Sequence, residues 1–220
     1  MSIDYTLHAH IATITINRPE TRNSLDMAHF RDLAHAWAAF RDDTGARVAV
    51  ITGVGRDFCT GADLKTFIPE VTGELAQPEG WDKVDAIHAV LHRFPVYKPI
   101  VAAVNGTCVA GGFEMLTSTD IRVAVPDARF AVMEPKRGLF AGGGSTVRLP
   151  RQLPYPMAME PLLTSRHGGC GARVGDGTDQ PARPRRRADG YRVRLRRAHR
   201  GQRTARGFGD QAVGRRGLGA

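Results

Sequence analysis

The alternation of apolar and polar residues changes period along the chain, and each change marks a predicted element. Residues 2–7 and 10–16 alternate around a short turn, which predicts a β-hairpin. Asp26 is a suitable N-cap for a helix extending to about Asp42, where the apolar spacing becomes that of one helix face. The residues on that face, which we expect in the core, are Phe30, Leu33, Ala34, Trp37 and Phe40.

The rest of the pattern alternates short apolar runs with helical spacing. The apolar runs predict buried strands at Arg47–Thr52, Ile100–Val104 and Asp120–Val125. Helical spacing predicts a helix over Trp81–Phe94, and residues 66–80 carry two prolines and two glycines typical of a mobile loop. Strands that alternate with helices favour an α/β layered fold with largely parallel pairing.

A glycine pair follows the central strand, in the stretch Val104–Glu114. Gly111 and Gly112 lie where strand and loop give way to a predicted helix. Glycine lets backbone N–H groups approach an oxyanion closely there, and the helix dipole assists. Glu114 follows within one turn, so a donor and a carboxylate could serve one carbonyl compound. A plain glycine-rich turn before a core helix is the alternative.

Composition adds limits on the class of protein. The 220 residues suffice for one domain with a sizeable core. No run of 18 apolar residues predicts a membrane span, and the N-terminus does not have the pattern of a secretory signal. The three cysteines, Cys59, Cys108 and Cys170, have neither metal-ligand spacing nor an obvious pairing. We therefore expect reduced thiols in a cytoplasmic protein that does not contact membranes.

The basic charge is confined to one end of the chain. Residues 166–220 contain 15 Arg, no Lys, four Asp and no Glu, a net charge of +11, whereas residues 1–165 have a net charge of −2. The same 55 residues contain 12 of the 25 glycines and few apolar side chains. Such a segment cannot bury enough apolar surface to fold alone, so we predict an Arg/Gly/Pro-rich, disordered tail.

Three motifs together carry a resemblance to a known family. Asp57–Leu64, the stretch from Ala103-Val104-Asn105-Gly106 through Gly111–Glu114, and Phe130–Arg148 resemble those of the crotonase (enoyl-CoA hydratase/isomerase) superfamily in order and spacing. The resemblance covers about residues 3–165. It implies a crotonase-like spiral fold of ββα units, an acyl-CoA thioester substrate and assembly as a homotrimer or hexamer. It implies no separate cofactor, because coenzyme A is part of the substrate.

The resemblance also implies a site. By motif position, the N–H groups of Ala62 and Gly111 form the oxyanion hole, and Glu114 and Glu134 are the catalytic carboxylates. Retention of both glutamates favours reversible hydration of a 2-enoyl-CoA, with isomerase or other acyl-CoA chemistry as the alternative. Both acids need raised pKa values; an apolar pocket would raise that of Glu114, whereas a nearby helix N-terminus would lower it. Ala62 in a tight turn and Glu134 as a surface acid are the structural alternatives.

Substrate contacts are implied at four further residues. Asp63 and Leu64 occupy the positions where the family holds the adenine end of coenzyme A, with Lys65 nearby. Gly112, beside the oxyanion amide, completes the predicted substrate contacts.

Two weaker patterns compete with this hypothesis. His88 and His92 have an i, i+4 spacing that can bind a metal, but no third ligand follows, so exposed helix histidines are the simpler interpretation and no metal is predicted. The Gly142–Gly144 run suggests a phosphate-binding loop, but the lysine and hydroxyl that follow a Walker loop are absent.

The resemblance ends near Arg166, where relatives continue with helices that cover the acyl pocket and form the trimer contact. A one-nucleotide shift of codons compatible with His167–Asp176 permits a peptide with the family pattern. We interpret residues 166–220 as out-of-frame translation that truncates the fold. This interpretation predicts low activity and makes the oligomer doubtful. A different class of function is nonspecific binding of RNA or another polyanion by the arginines of the tail.

Overall fold

The computed structural model describes residues 2–76, 79–80, 82–166 and 168–169. Its strands are β1 (Ile3–His8), β2 (Ile11–Ile16), β3 (Val48–Gly53), β4 (Asp57–Cys59), β5 (Ile100–Val104), β6 (Thr107–Val109), β7 (Ile121–Ala124), β8 (Arg129–Ala131) and β9 (Gly168–Gly169). Its helices are α1 (Met27–Asp42), α2 (Phe67–Thr72), α3 (Lys83–Ala89), α4 (Gly111–Leu116), α5 (Ser145–Gln152) and α6 (Tyr155–Thr164). Short 3₁₀ turns span Pro19–Thr21 and Glu134–Arg137.

From β3 to β8, successive strands belong alternately to two sheets. The first sheet has the order β1-β2-β3-β5-β7 and the second has the order β4-β6-β8-β9. Among the strands that the structure describes, only the first and last pairs, β1–β2 and β8–β9, are antiparallel. Each pair β3/β4, β5/β6 and β7/β8 therefore places one strand in each sheet before the chain returns through helices. This architecture confirms the predicted α/β fold of ββα units with largely parallel pairing.

Helix α1 forms as its sequence predicts. The Asp26 side chain accepts a hydrogen bond from the N–H of His29 at 3.0 Å, which is a standard N-cap. The predicted face is buried in full, and Trp37 and Phe40 have no exposed surface. The indole Nε1 of Trp37 donates to the carbonyl of Ala89 at 3.0 Å, which ties α1 to the end of α3.

Helix α3 is shorter than predicted, and the predicted start at Trp81 lies outside the described residues. It ends at Ala89 rather than near Phe94, because Leu91 and Arg93 have positive φ angles of 57° and 55°. The carbonyls after the helix are bound by distant side chains: the Ser118 hydroxyl donates to Val90 O at 3.1 Å, and Arg148 donates to the next carbonyl at 2.8 Å. Tertiary contacts thus override the helical spacing of the sequence.

The predicted mobile loop over 66–80 is wrong for its first part, which forms α2. Phe67 packs on the ring of Phe30 at a centroid distance of 4.9 Å and anchors the helix to the core. Pro69 lies in the first turn, where it removes no helical hydrogen bond, and Gly73 ends the helix in the left-handed region with φ 82°.

No helix among the described residues has the length and apolarity that a membrane crossing needs. Cys59 and Cys108 are buried free thiols, and Cys170 lies outside the described residues. The predicted tail is also outside them, apart from Arg166 and the two residues of β9. The boundary at 165 and the disorder of the tail therefore remain predictions.

Candidate active site

Two backbone N–H groups predicted to form an oxyanion hole lie next to each other. A Cβ built on Gly111 would be 4.0 Å from the nitrogen of Ala62. Both residues are partly exposed, and neither N–H donates a hydrogen bond within the described part of the chain. Two free donors on neighbouring segments can bind one oxygen anion.

Local backbone geometry explains why these donors are free. Ala62 forms an isolated parallel bridge with Leu25. The N–H of Leu25 donates to the carbonyl of Gly61 at 2.8 Å, and the N–H of Asp63 donates to the carbonyl of Leu25 at 2.8 Å. Parallel pairing of this kind directs the N–H of Ala62 away from Leu25. On the other side, Ala110 has φ 49° and ψ −130°, which non-glycine residues rarely adopt, and this residue sets the direction of the N–H of Gly111.

Glu114 lies on α4, and its carboxylate contacts the start of α5. The residue is 7% exposed. Its Oε1 accepts a hydrogen bond from the N–H of Ser145 at 3.2 Å. A Cβ on Gly143 would lie only 2.6 Å from Oε2, so only glycine permits this close approach. The carboxylate is therefore fixed from the side of α5.

Glu134 approaches the same site from the second sheet. It is the first residue of the 3₁₀ turn after β8, and α6 packs on that turn. Its Oε2 is shielded from solvent, which argues against the alternative of a surface acid. The Glu134 carboxylate is close enough to Glu114 for its charge to raise the pKa of that residue.

Burial determines the direction of the Glu114 pKa shift, which the sequence leaves open. Burial raises the pKa of Glu114 to about 7, and the charge of Glu134 adds to the rise. The N–H groups of Ser145 and Gly143 and the guanidinium of Arg148 oppose it without cancelling it. Burial also raises the pKa of Glu134. Two carboxyls with raised pKa values can exchange protons near neutral pH.

The predicted contacts to coenzyme A divide into two groups. Leu64 and Lys65 are exposed and free to meet a ligand. The Asp63 carboxylate is bound within the protein: it accepts from the Ser24 hydroxyl at 3.2 Å and lies 3.9 Å from the Arg18 guanidinium. Gly112 packs against β4, where a Cβ would lie 2.4 Å from a backbone carbonyl oxygen. The roles of all four residues in binding substrate remain predictions.

The sequence pattern does not reveal three residues around Glu114, namely Gly143, Ser145 and Arg148. The half-buried Arg148 donates to the carbonyls of Gly143 at 3.0 Å and Leu91 at 2.8 Å. The only sequence signal is the glycine run Gly142–Gly144. Its middle residue borders a carboxylate, which argues against the alternative of a phosphate loop.

The histidine pair has no helical register in the structure, because α3 ends before His92. His88 stacks near Phe94 at a centroid distance of 4.9 Å. A search of the described residues finds no group of three or more His, Cys, Asp or Glu side chains that could hold a metal.

Known proteins share this sequence and architecture. The enoyl-CoA hydratase/isomerase family matches residues 6–171. Enoyl-CoA hydratase EchA19 of Mycobacterium tuberculosis is 41% identical over 158 residues, which are 72% of this chain and 59% of that protein. (E)-Benzylidenesuccinyl-CoA hydratase of Thauera aromatica is 39% identical over 167 residues, 74% of this chain and 62% of that protein.

Solved structures agree with the sequence comparison. A crystal structure of enoyl-CoA hydratase from M. tuberculosis H37Rv has a TM-score of 0.71 at 35% identity, covering 90% of this chain and 75% of that one. A carnitinyl-CoA dehydratase from Mycobacterium avium has a TM-score of 0.72 at 31% identity, covering 92% and 77%.

Two unpaired amides and two glutamates with raised pKa values, on a spiral of ββα units, are features of the crotonase-like class of proteins. The chain belongs to the enoyl-CoA hydratase/isomerase family. It spans about three-fifths of the length of the curated relatives it matches.

Proposed function

We propose that this protein adds water reversibly to the double bond of a 2-enoyl-CoA thioester. The observations that carry the proposal are the buried carboxyl of Glu114, the nearby carboxyl of Glu134 with its shielded Oε2, and the unpaired N–H groups of Ala62 and Gly111. The names of the hydratases similar to this chain support the same class of substrate.

The proposed mechanism uses each group once. The N–H groups of Ala62 and Gly111 bind the thioester oxygen and stabilise the negative charge that develops there during addition. One carboxylate removes a proton from water as the oxygen attaches to the β-carbon, and the other carboxyl delivers a proton to the α-carbon. The hydroxyl of the water ends on the β-carbon. The proton that one glutamate takes from water replaces the proton that the other glutamate gives to the α-carbon, so the two carboxyls together hold the same number of protons before and after the reaction. A 2,3-enoyl isomerase, which moves only a proton, is the alternative.

Crotonyl-CoA hydration by the full 220-residue chain tests the proposal, followed as the loss of ultraviolet absorbance of the conjugated thioester. Removing a general acid or base should lower kcat by roughly 10²–10⁴-fold in Glu114→Gln and in Glu134→Gln. Glu160→Gln, an exposed glutamate on α6, is the matched control and should keep the wild-type rate. Wild-type enzyme is assayed at high concentration, so that a low rate can be measured.

A wild-type rate in both glutamate variants would reject the assignment. Movement of a 3-enoyl double bond without hydration would favour the isomerase. We also propose a cytoplasmic location, which the buried free thiols of Cys59 and Cys108 support.

A further inference from the structure

Two polar atoms beside the carboxylate pair are buried without a hydrogen-bond partner in the described residues. They are Oε2 of Glu134 and Oγ of Ser145. Ser145 has no exposed surface at all. A buried polar atom without a partner costs about 1–3 kcal/mol, so a folded protein retains few of them unless a ligand or water completes the bond.

The Ser145 hydroxyl makes no hydrogen bond within the described residues that would explain a serine at this position. Serine often begins helices because its Oγ caps a backbone N–H, but the capping position of α5 belongs to Gly144 and no side-chain cap is formed. The neighbouring Thr146 differs, since its hydroxyl donates to the carbonyl of Ala141 at 3.3 Å. Ser145 is therefore the member of this turn whose hydroxyl has no protein partner.

The backbone of Ser145 contacts the Glu114 carboxylate. Its nitrogen lies 3.2 Å from Oε1 of Glu114. A serine Oγ lies within about 4 Å of its own nitrogen in every staggered rotamer, so the hydroxyl is near that carboxylate.

We propose that Ser145 is a positioning residue whose hydroxyl holds the water molecule shared by Glu114 and Glu134. Water offers two protons and two lone pairs. One proton is donated to the carboxylate that acts as the base, and the Ser145 hydroxyl donates to one lone pair. The other lone pair is left to form the bond to the β-carbon. This role rests on the proposed hydration.

Ser145→Ala, Ser145→Thr and Thr146→Val test this proposal in the full chain. Ser145→Ala should lower kcat about 10–100-fold with little change in KM, because the water is placed less well and the thioester is bound as before. Ser145→Thr retains the hydroxyl and should stay within about threefold of wild type. Thr146→Val removes the neighbouring hydroxyl and should leave kcat unchanged.

Stability gives a readout that a structural role would move and a water-positioning role would not. Ser145→Ala removes a hydroxyl whose proposed partner is a water, so its Tm should stay close to that of wild type. A fall in Tm with no selective effect on kcat, or equal losses in Ser145→Ala and Ser145→Thr, would overturn the proposal.

A crystal structure of the chain separates this inference from the proposed function. We expect an ordered water within hydrogen-bonding distance of Ser145 Oγ and of one or both carboxylates. Pairing of Oγ with a protein atom would overturn the water site. An inactive wild type that still holds this water would reject hydration as the function and leave the water site standing.

Discussion

The layered region over residues 3–128 and the helical region over residues 132–165 are packed to different degrees. The first buries a large continuous core between the sheets and α1, including Leu33, Trp37, Phe40, Ile51 and Phe58. The second buries only a small separate cluster of Val132, Ala141, Leu149 and Ala158. Six large apolar side chains are exposed within 25 residues of the second region: Leu139, Phe140, Val147, Leu153, Tyr155 and Leu163.

The site is built from both regions, and this explains why the difference matters. The N–H groups of Ala62 and Gly111 and the carboxylate of Glu114 come from the well-packed layers. Glu134 and Ser145 come from the region with the small core, where α6 packs on α5 and on the turn that begins at Glu134. The proposed oxyanion hole thus lies in the well-packed region, whereas placement of the proposed water depends on the less covered part of the molecule.

The same substitution in each region should give the largest contrast. Phe40 has no exposed surface, and Phe140 is 77% exposed. Phe40→Ala should lower the free energy of unfolding by about 3–5 kcal/mol, because it removes buried area and leaves a cavity. Phe140→Ala should change it by less than about 0.5 kcal/mol. Urea midpoints measure both, and equal losses would show that the second region is covered in solution.

The pH dependence of the free energy of unfolding should reveal the cost of burying the Glu114 carboxylate. The Glu114 pKa is raised from its ordinary value of 4.5 to about 7, so between these values the folded chain binds a proton that the unfolded chain releases. Stability from this group is therefore fully present below pH 4.5 and declines as the pH rises to about 7. The decline is on the order of 3 kcal/mol.

Glu114→Gln provides the measurement for this prediction. Glutamine keeps the shape of the protonated acid and does not ionise, so the variant should match wild type near pH 4.5 and exceed it in free energy of unfolding near pH 7.5. Because all other titrating groups are shared, the difference between the two urea titrations isolates Glu114. Parallel curves across this range would contradict the raised pKa.

Sequence patterns predicted the long elements, and the family resemblance implied the two carboxylates, but neither predicted the contacts between segments. The hairpin, α1 and β5 carry enough periodic residues to be predicted. The strands β4, β6 and β8 have only three residues each, too few for a periodic signal. The end of α3 depends on Arg148, which is 57 residues away from the carbonyl of Leu91 that it binds. Ser145 gave no signal because its partners are distant in sequence.

The small core of the second region should be less sensitive than the main core, but its loss should reach the site. Leu149 is 3% exposed and lies on α5. Leu149→Ala should lower the free energy of unfolding by about 2 kcal/mol, the low end for such a change, because the sparse surroundings can relax. It should also lower kcat, since α5 presents the N–H of Ser145 to Glu114. Val147→Ala, half exposed on the same helix, is the control and should change neither quantity.

The smallest effect on stability is expected at the exposed apolar side chains, where association should change instead. Leu163 is 67% exposed on α6, so Leu163→Ser removes no buried area and should alter the free energy of unfolding by less than about 0.5 kcal/mol. Exposed apolar side chains favour self-association. The double variant Leu163→Ser, Phe140→Ser should therefore sediment as smaller species than wild type.

Salt distinguishes association through apolar side chains from the effect of the arginines of the tail. Apolar contacts persist at 1 M NaCl. Repulsion between like charges is screened at that concentration, so association of wild type should increase. Unchanged sedimentation of the double variant at both salt concentrations would mean that these side chains do not drive association.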